Sequence, residues 1–366
     1  VLMIRYNGTL DLLFRMRGSV LPFAARVAVP CAAVALVLKY LQVHDMFTLA
    51  YFKIDDVAYR GFTALLGFLI IFRTKQSYER FWVGGGLLQQ MCGSWLEAAS
   101  SVVAFCKVSK AEEAVILHFQ HILVRLFSLL VASALTELQG TDESDAQDLH
   151  GRLSSLDIID GQSLDWKTRQ AFLSSSNKVE LVFQWIQSVM VSGCEQKVFT
   201  IPPPILARAF NELADGMVKF NDCMKIAVMP FPFPYAQATL ILLSLHSLIT
   251  PVMICTWTGT VLFAAVFSFL ILFIFWGLYG IGLELENPFG EDPNDLDAIE
   301  IQQKMNKRLA MVFINPNSRM MPSLVPHIQN AELREQALAR RMKLIHVWGN
   351  CKPESAQSSV CRISTG

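Results

Sequence analysis

Two groups of residues have types and spacings that could do chemistry. The first is the string Asn287-Pro-Phe-Gly-Glu-Asp-Pro-Asn-Asp-Leu-Asp297, which follows directly on a very long apolar run. Its carboxylates, Glu291, Asp292, Asp295 and Asp297, are separated by the turn formers Pro288, Gly290 and Pro293. Oxygen at this density fits a divalent cation, a hinge or a cap. Calcium takes six to eight oxygen ligands, so one short loop cannot complete its shell alone. The same order also reads as a helix start, with Asp292 as N-cap and Pro293 in the first helical position. The second group is His118 and His121, three apart on one helical face. No Asp, Glu or Cys stands at a matching spacing, so a packed or hydrogen-bonded pair is expected rather than a metal site. No Ser-His-Asp order, phosphate-binding glycine loop or HExxH motif is present, and an enzyme reading finds no support.

The elements that position these residues are set by composition. Of 366 residues, 53% are hydrophobic, too many for an ordinary soluble chain, and they imply an integral membrane protein surrounded by lipid. Lysine plus arginine balance aspartate plus glutamate at 31 each, so no basic excess points to nucleic acid. The eight cysteines form no CxxC pair and read as reduced, buried thiols. The first residue is Val1 rather than methionine, which is compatible with a removed leader.

A spanning helix needs about 20 mostly apolar residues. Four stretches qualify: about Val20 to Leu41, Val57 to Phe72, Tyr235 to Cys255 and Gly259 to Leu283. The second is expected to stop at Arg73-Thr-Lys75, and the last two to form a tight pair across Thr256-Trp-Thr-Gly259. Arg5, Arg15 and Arg17 before the first span, with Arg73, Lys75 and Arg80 after the second, mark a shared cytoplasmic or equivalent side. Ala114 to Leu135 is apolar too, but His118, Gln120, His121 and Arg125 recur through it and predict a helix of an aqueous domain. Thr136 to Gln162 reads as a polar loop, Ile201-Pro-Pro-Pro204 as the lead into another helix, and the chain after Asp297 as a helix to about Phe313. An extended stretch and a short charged helix near Glu332 to Lys343 follow. The expected organisation is all-α: an N-terminal segment 1–19, spans 20–75, a helical aqueous domain 76–227, spans 228–285, and an acidic loop with C-terminal helices 286–366.

Within the second span, Ala64, Phe68 and Phe72 share one helical face, with Leu65 beside them. That stripe is either lipid-facing or core packing, or a hydrophobic constriction lined by one such helix from each subunit of a ring. Aromatic edges are electropositive and suit anion passage, and hydrophobic constrictions gate by dewetting. Met229-Pro-Phe-Pro-Phe-Pro-Tyr235 forces an extended approach to the third span. It is either a helix start with an interfacial anchor or a segment that places Phe231 or Phe233 on a narrow aperture.

Four motifs together resemble the bestrophins: Arg17-Gly-Ser-Val20, Phe72-Arg-Thr-Lys-Gln-Ser-Tyr-Glu-Arg80, Pro230-Phe-Pro-Phe-Pro-Tyr-Ala-Gln237 and Glu286-Asn-Pro-Phe-Gly-Glu-Asp-Pro-Asn-Asp-Leu296. The resemblance runs over nearly the whole chain. It implies a homopentamer with one central pore for anions such as chloride and bicarbonate, with no cofactor required. It places the neck at Phe68 and Phe72, with Ala64 or Leu65 next, and the cytosolic aperture at Phe231. It also implies a calcium clasp in animal members, which would map to carbonyls of Asn287 and Glu291 and carboxylates of Asp292 and Asp295. Pro293 and Asn294 depart from the animal pattern, and bacterial and plastid relatives with a similar loop carry no such implication. A cation-selective pore of bacterial type and a non-conducting scaffold are the rival readings. The resemblance allows a thylakoid membrane or a plasma membrane.

Overall fold

The computed structural model describes residues 15–46, 55–140, 156–160 and 165–313. All of them fall in one compact unit, 1–318. Most of the expected polar loop before Gln162, the extended stretch beyond Phe313 and the charged helix near Glu332 lie outside the described residues.

The described residues form nine α-helices and no strand: α1 Leu21–Val43, α2 Asp56–Cys106, α3 Glu113–Gln139, α4 Trp166–Ser174, α5 Lys178–Glu195, α6 Pro203–Val228, α7 Phe233–Trp257, α8 Val261–Glu284 and α9 Ala298–Phe313. The starts follow local chemistry. The Asp55 side chain accepts the Val57 amide at the head of α2, and Thr260 accepts the Phe263 amide at the head of α8. Prolines occupy the first turns of α1, α6 and α7, where a missing N–H costs nothing. α1 and α8 close tightly because of Gly280. A Cβ there would stand 2.3 Å from the Val20 side chain and 2.9 Å from Phe23.

α2 corrects one expectation. The apolar stretch ends at Arg73-Thr-Lys75, but the helix does not, and it runs unbroken for 51 residues. Arg, Lys, Gln and Glu are good helix formers, so charge ends compatibility with lipid without ending the helix. At 1.5 Å per residue α2 is about 77 Å long, more than twice a hydrocarbon core of about 30 Å.

Five helical stretches are long and apolar enough to cross a membrane: α1, α2, α3, the α6–α7 stretch and α8. They differ in what covers them. In α3 the apolar window is 56% buried within the protein, against 22% in α2 and in α8. α3 lies at the centre of one core, with Phe127, Leu130 and Val131 fully buried among side chains from the second half of α2 (Trp95, Ala99), α5 (Val182, Ile186), α6 (Leu213, Phe220) and α9 (Leu309). A buried polar knot fastens α3 to α9: the Ser128 hydroxyl donates to Asn306 Oδ1 at 2.8 Å, and Gln302 Nε2 donates to the Ser128 carbonyl at 3.1 Å. His118 and His121 are exposed rather than packed, because both lie on the face of α3 turned from this core. A second, smaller cluster joins Leu66 and Ile70 of α2 to Leu243 of α7 and Tyr279 of α8.

Candidate functional site

The first half of α2 has two unlike faces. Tyr59, Leu66, Ile70, Arg73 and Ser77 are buried against α7 and α8. Ala64, Leu65, Phe68 and Phe72 are exposed, with Phe68 at 65% and Leu65 at 55%. The four residues expected at a neck therefore share a face of α2 that the other described residues leave largely uncovered, with Phe72 at its edge meeting Tyr235. Ile71, 62% exposed, belongs to the same face and was not singled out from the sequence.

Polar contacts hold the buried face in register. Near the start of α2, the Tyr59 hydroxyl lies 2.9 Å from the Thr250 hydroxyl and 3.4 Å from His246 Nε2, and Thr63 lies 3.3 Å from the same nitrogen. His246 is fully buried and stacks on Tyr59 with ring centroids 5.7 Å apart. These contacts join α2 to α7 where an unsatisfied polar group would be costly.

At the other end of the stripe, one residue beyond Phe72, Arg73 is buried. Its Nη2 donates to Glu286 Oε2 at 2.9 Å. Its guanidinium carbon lies 4.7 Å from the Tyr279 ring centroid and 5.3 Å from that of Phe231. The second oxygen of Glu286, Oε1, accepts the backbone amide of Phe231 at 3.2 Å. The Glu286 carbonyl accepts Arg80 Nε at 3.1 Å, and Arg80 Nη2 donates to the Ile226 carbonyl at 2.8 Å. One carboxylate thus ties α2, the proline-rich segment before α7 and the start of the acidic loop together.

The two aperture residues part company. Phe231 is buried, in edge contact with Tyr235 at 6.2 Å, and Tyr235 in turn meets Phe72 at 6.0 Å. Phe233 is 71% exposed. From the sequence, Arg73 marked only the end of a span and the charged side of the membrane, Tyr235 only an interfacial anchor, and the pairing of Arg73 with Glu286 was not foreseen. A signal was present: Arg73 has Leu69 and Ser77 four residues away and no acid on its own helix face, so a buried guanidinium there needed a distant partner.

The acidic loop is closed on itself. Asn287 Oδ1 accepts the Phe289 amide at 3.3 Å, Asp295 Oδ2 accepts the Asp292 amide at 2.8 Å, and the Leu296 amide donates to the Pro288 carbonyl at 3.0 Å. Gly290 permits this closure, since a Cβ there would stand 2.5 Å from Asp295 Oδ2. Asp292 does not cap a helix. It lies in a turn, and Asp297 is the residue whose side chain accepts the Glu300 amide, at 3.1 Å, as α9 begins. The expected cap therefore moves five residues on, because the chain stays in turn conformation past Asp292 and becomes helical only at Ala298. Asn294 Nδ2 donates to the Gly18 carbonyl at 2.9 Å, joining the loop to the turn before α1. Pro288 and Phe289 seat on α2 at Gly84, where a Cβ would lie 3.0 Å from Pro288 and 3.2 Å from Phe289.

Asp295 is buried, and burial first, then the nearby Asp292 and Glu284 carboxylates, push its carboxyl up to about 7, against the Asp292 amide that pulls it down. Its Oδ1 has no hydrogen-bond partner. Among the described residues no group of three His, Cys, Asp or Glu side chains is placed to hold a metal. Glu291 and Asp292 are exposed, while Asp295 turns inward, so these carboxylates do not converge on one point.

The sequence matches the family described as Bacterial/Fungal Bestrophin protein over residues 3–311. The chain belongs to the bestrophin family. It is 29% identical over 311 residues to a voltage-dependent anion channel-forming protein of Synechocystis sp., a match covering 82% of this chain and 90% of that one. A protein of the same description from Nostoc sp. is 28% identical over 264 residues, covering 70% and 77%. Among solved structures, a variant of a bacterial bestrophin homolog from Klebsiella pneumoniae superposes with a TM-score of 0.64 at 17% identity, covering 81% of this chain and all of that one. This bestrophin is an integral membrane protein, with an all-helical fold shared with those structures.

Proposed function

We propose that this bestrophin is one subunit of a pentameric anion channel that conducts chloride and bicarbonate. The observation that carries the reading is the uncovered stripe Ala64, Leu65, Phe68 and Phe72 on a helix whose opposite face is fully engaged. Five such stripes facing one axis make a hydrophobic neck, where ring edges replace part of an anion's hydration. The names of the two cyanobacterial relatives, as anion channel-forming proteins, support the same ion class.

In this reading α1, the first half of α2, α7 and α8 cross the bilayer. α3 belongs instead to an aqueous domain with the rest of α2, α5, α6 and α9, because its polar residues and its protein cover suit water on one side and core on the other. Below the neck the ion passes the start of α7, where exposed Phe233 and buried Phe231 just before it form a second constriction. The acidic loop acts as a brace. We read it as a brace rather than a calcium clasp because Asn287 Oδ1 and Asp295 Oδ2 accept amides of the loop itself. A melting temperature that rises with millimolar calcium, and no longer does so in Asp295→Asn, would restore the clasp reading. The membrane is a thylakoid or plasma membrane, and fractionation of the source cells decides between them.

Purified protein in planar bilayers under a chloride gradient gives the direct test. The reversal potential is expected to follow the chloride equilibrium potential, and to shift when bicarbonate replaces chloride on one side. A reversal potential that follows the cation gradient instead assigns a cation-selective pore. A monomer by mass measurement in detergent, with no current, assigns a scaffold.

A further inference from the structure

Resting on the channel reading above, we infer that Glu286 is a positioning residue that links the neck to the second constriction, so that the two change aperture together. The link is a closed circuit of contacts. Phe72 lines the neck and meets Tyr235 at 6.0 Å; Tyr235 meets Phe231 at 6.2 Å; Phe231 lies against the Arg73 guanidinium; and Arg73 follows Phe72 on the same helix. Glu286 closes the circuit by holding Arg73 Nη2 with one oxygen, at 2.9 Å, and the Phe231 amide with the other, at 3.2 Å.

Three features give this arrangement more than a packing role. First, the two groups that Glu286 bridges lie on different elements, and each adjoins or belongs to a residue of a constriction. Second, Arg73 has little freedom. It is buried between two aromatic faces, and its Nε and Nη1 have no hydrogen-bond partner, so the Glu286 carboxylate is its one polar restraint among the described contacts. Third, Glu286 is itself fixed from behind, because Arg80 of the same α2 helix grips its carbonyl. A turn or tilt of α2 that moves Phe72 therefore carries Glu286, and with it the Phe231 amide. Cores and packed junctions of this kind have discrete arrangements rather than continuous ones, which favours joint movement over independent breathing.

The test is a double-mutant cycle on reconstituted protein. Phe72→Ala and Phe231→Ala are made alone and together, in the unaltered chain and in Glu286→Gln, and the readout is the thiocyanate-to-chloride permeability ratio. Glutamine keeps the size of the side chain and an oxygen for the Phe231 amide, but loses the charge that holds Arg73. With Glu286 present, the double variant should depart from the product of the single effects by at least about twofold, the lower end of couplings between contacting residues. In Glu286→Gln the two effects should multiply. Equal departure in both backgrounds, or multiplication in both, overturns the link. A second readout needs no current. Hydrogen exchange at the Phe231 amide should speed by roughly tenfold in Arg73→Lys, a change of one hydrogen bond's order, and no further in Arg73→Lys with Glu286→Gln than in Glu286→Gln alone. Unchanged exchange in Arg73→Lys overturns the link even where currents flow. Faster exchange in protein that passes no anions leaves the link standing and refutes the channel reading.

Discussion

Phe72 and Arg73 are neighbours in sequence and opposites in surroundings. Phe72 belongs to the face of α2 that the other described residues leave largely open, while Arg73 belongs to the face that α7, α8 and the acidic loop enclose. A turn of about 100° per residue is all that separates an open surface from an enclosed junction. The contrast teaches that the two faces answer to different measurements. Changes on the open face should alter conduction and spare stability. Changes on the closed face should do the reverse, or both.

The largest effect is expected at the junction. Arg73→Met removes one partner of a buried pair and leaves Glu286 unmatched, at a cost of about 3–5 kcal/mol, toward the lower end because the Glu286 side chain retains some exposure. Thermal melting in detergent should show the loss, and an unchanged melting temperature would break the contrast at its strongest point. The acidic loop that leans on α2 at Gly84 comes next. Asp295 keeps its proton in the folded protein up to about 7, whereas the unfolded chain loses it near 3.8. The proton excess of the folded state is a stabilisation present below this window and lost as pH climbs through it, on the order of 4 kcal/mol in all. Melting temperature should accordingly fall from the acid side towards neutral pH, and Asp295→Asn should flatten the profile while keeping an oxygen for the Asp292 amide.

Leu66→Ala, fully buried on the closed face, should cost about 2–4 kcal/mol through the cavity it leaves among Leu243, Ile70 and Tyr279. On the open face, Phe68→Ala should change the melting temperature of separated subunits by less than the equivalent of about 0.5 kcal/mol, yet alter unitary current severalfold. If Phe68→Ala destabilised the subunit as much as Leu66→Ala, the stripe would be packing and not a pore surface.

Much of this fold was legible in the sequence because membrane helices announce themselves by length and composition. α1, α7 and α8 begin and end within a few residues of the apolar limits, and the polar residues of α3 marked it as different although its hydropathy passes the same threshold as α2. The errors came where one local signal stood for two things. Arg73-Thr-Lys75 ends an apolar stretch, and the continuation of α2 to Cys106 depends on packing far down the chain, including Trp95 seated on Gly216. Asp292-Pro293 has the chemistry of a helix start, but the loop turns on through Asp295 before the helix begins at Ala298, and the cap falls on Asp297. The stripe of the candidate site was readable because it is periodic. The junction beneath it was not, since Arg73 and Glu286 are 213 positions apart and no periodicity links them.

The pairing of Arg73 has a consequence for throughput. A bare guanidinium at the foot of a narrow, dry passage would be a trap: an anion arriving there would find its strongest partner and leave slowly. With its charge matched by Glu286 and its flat faces against Tyr279 and Phe231, Arg73 offers the passing ion little to hold. A pore has to release its ions as readily as it admits them. In the proposed channel, Glu286 matches the Arg73 charge beside the neck and so keeps the residence time of each ion short.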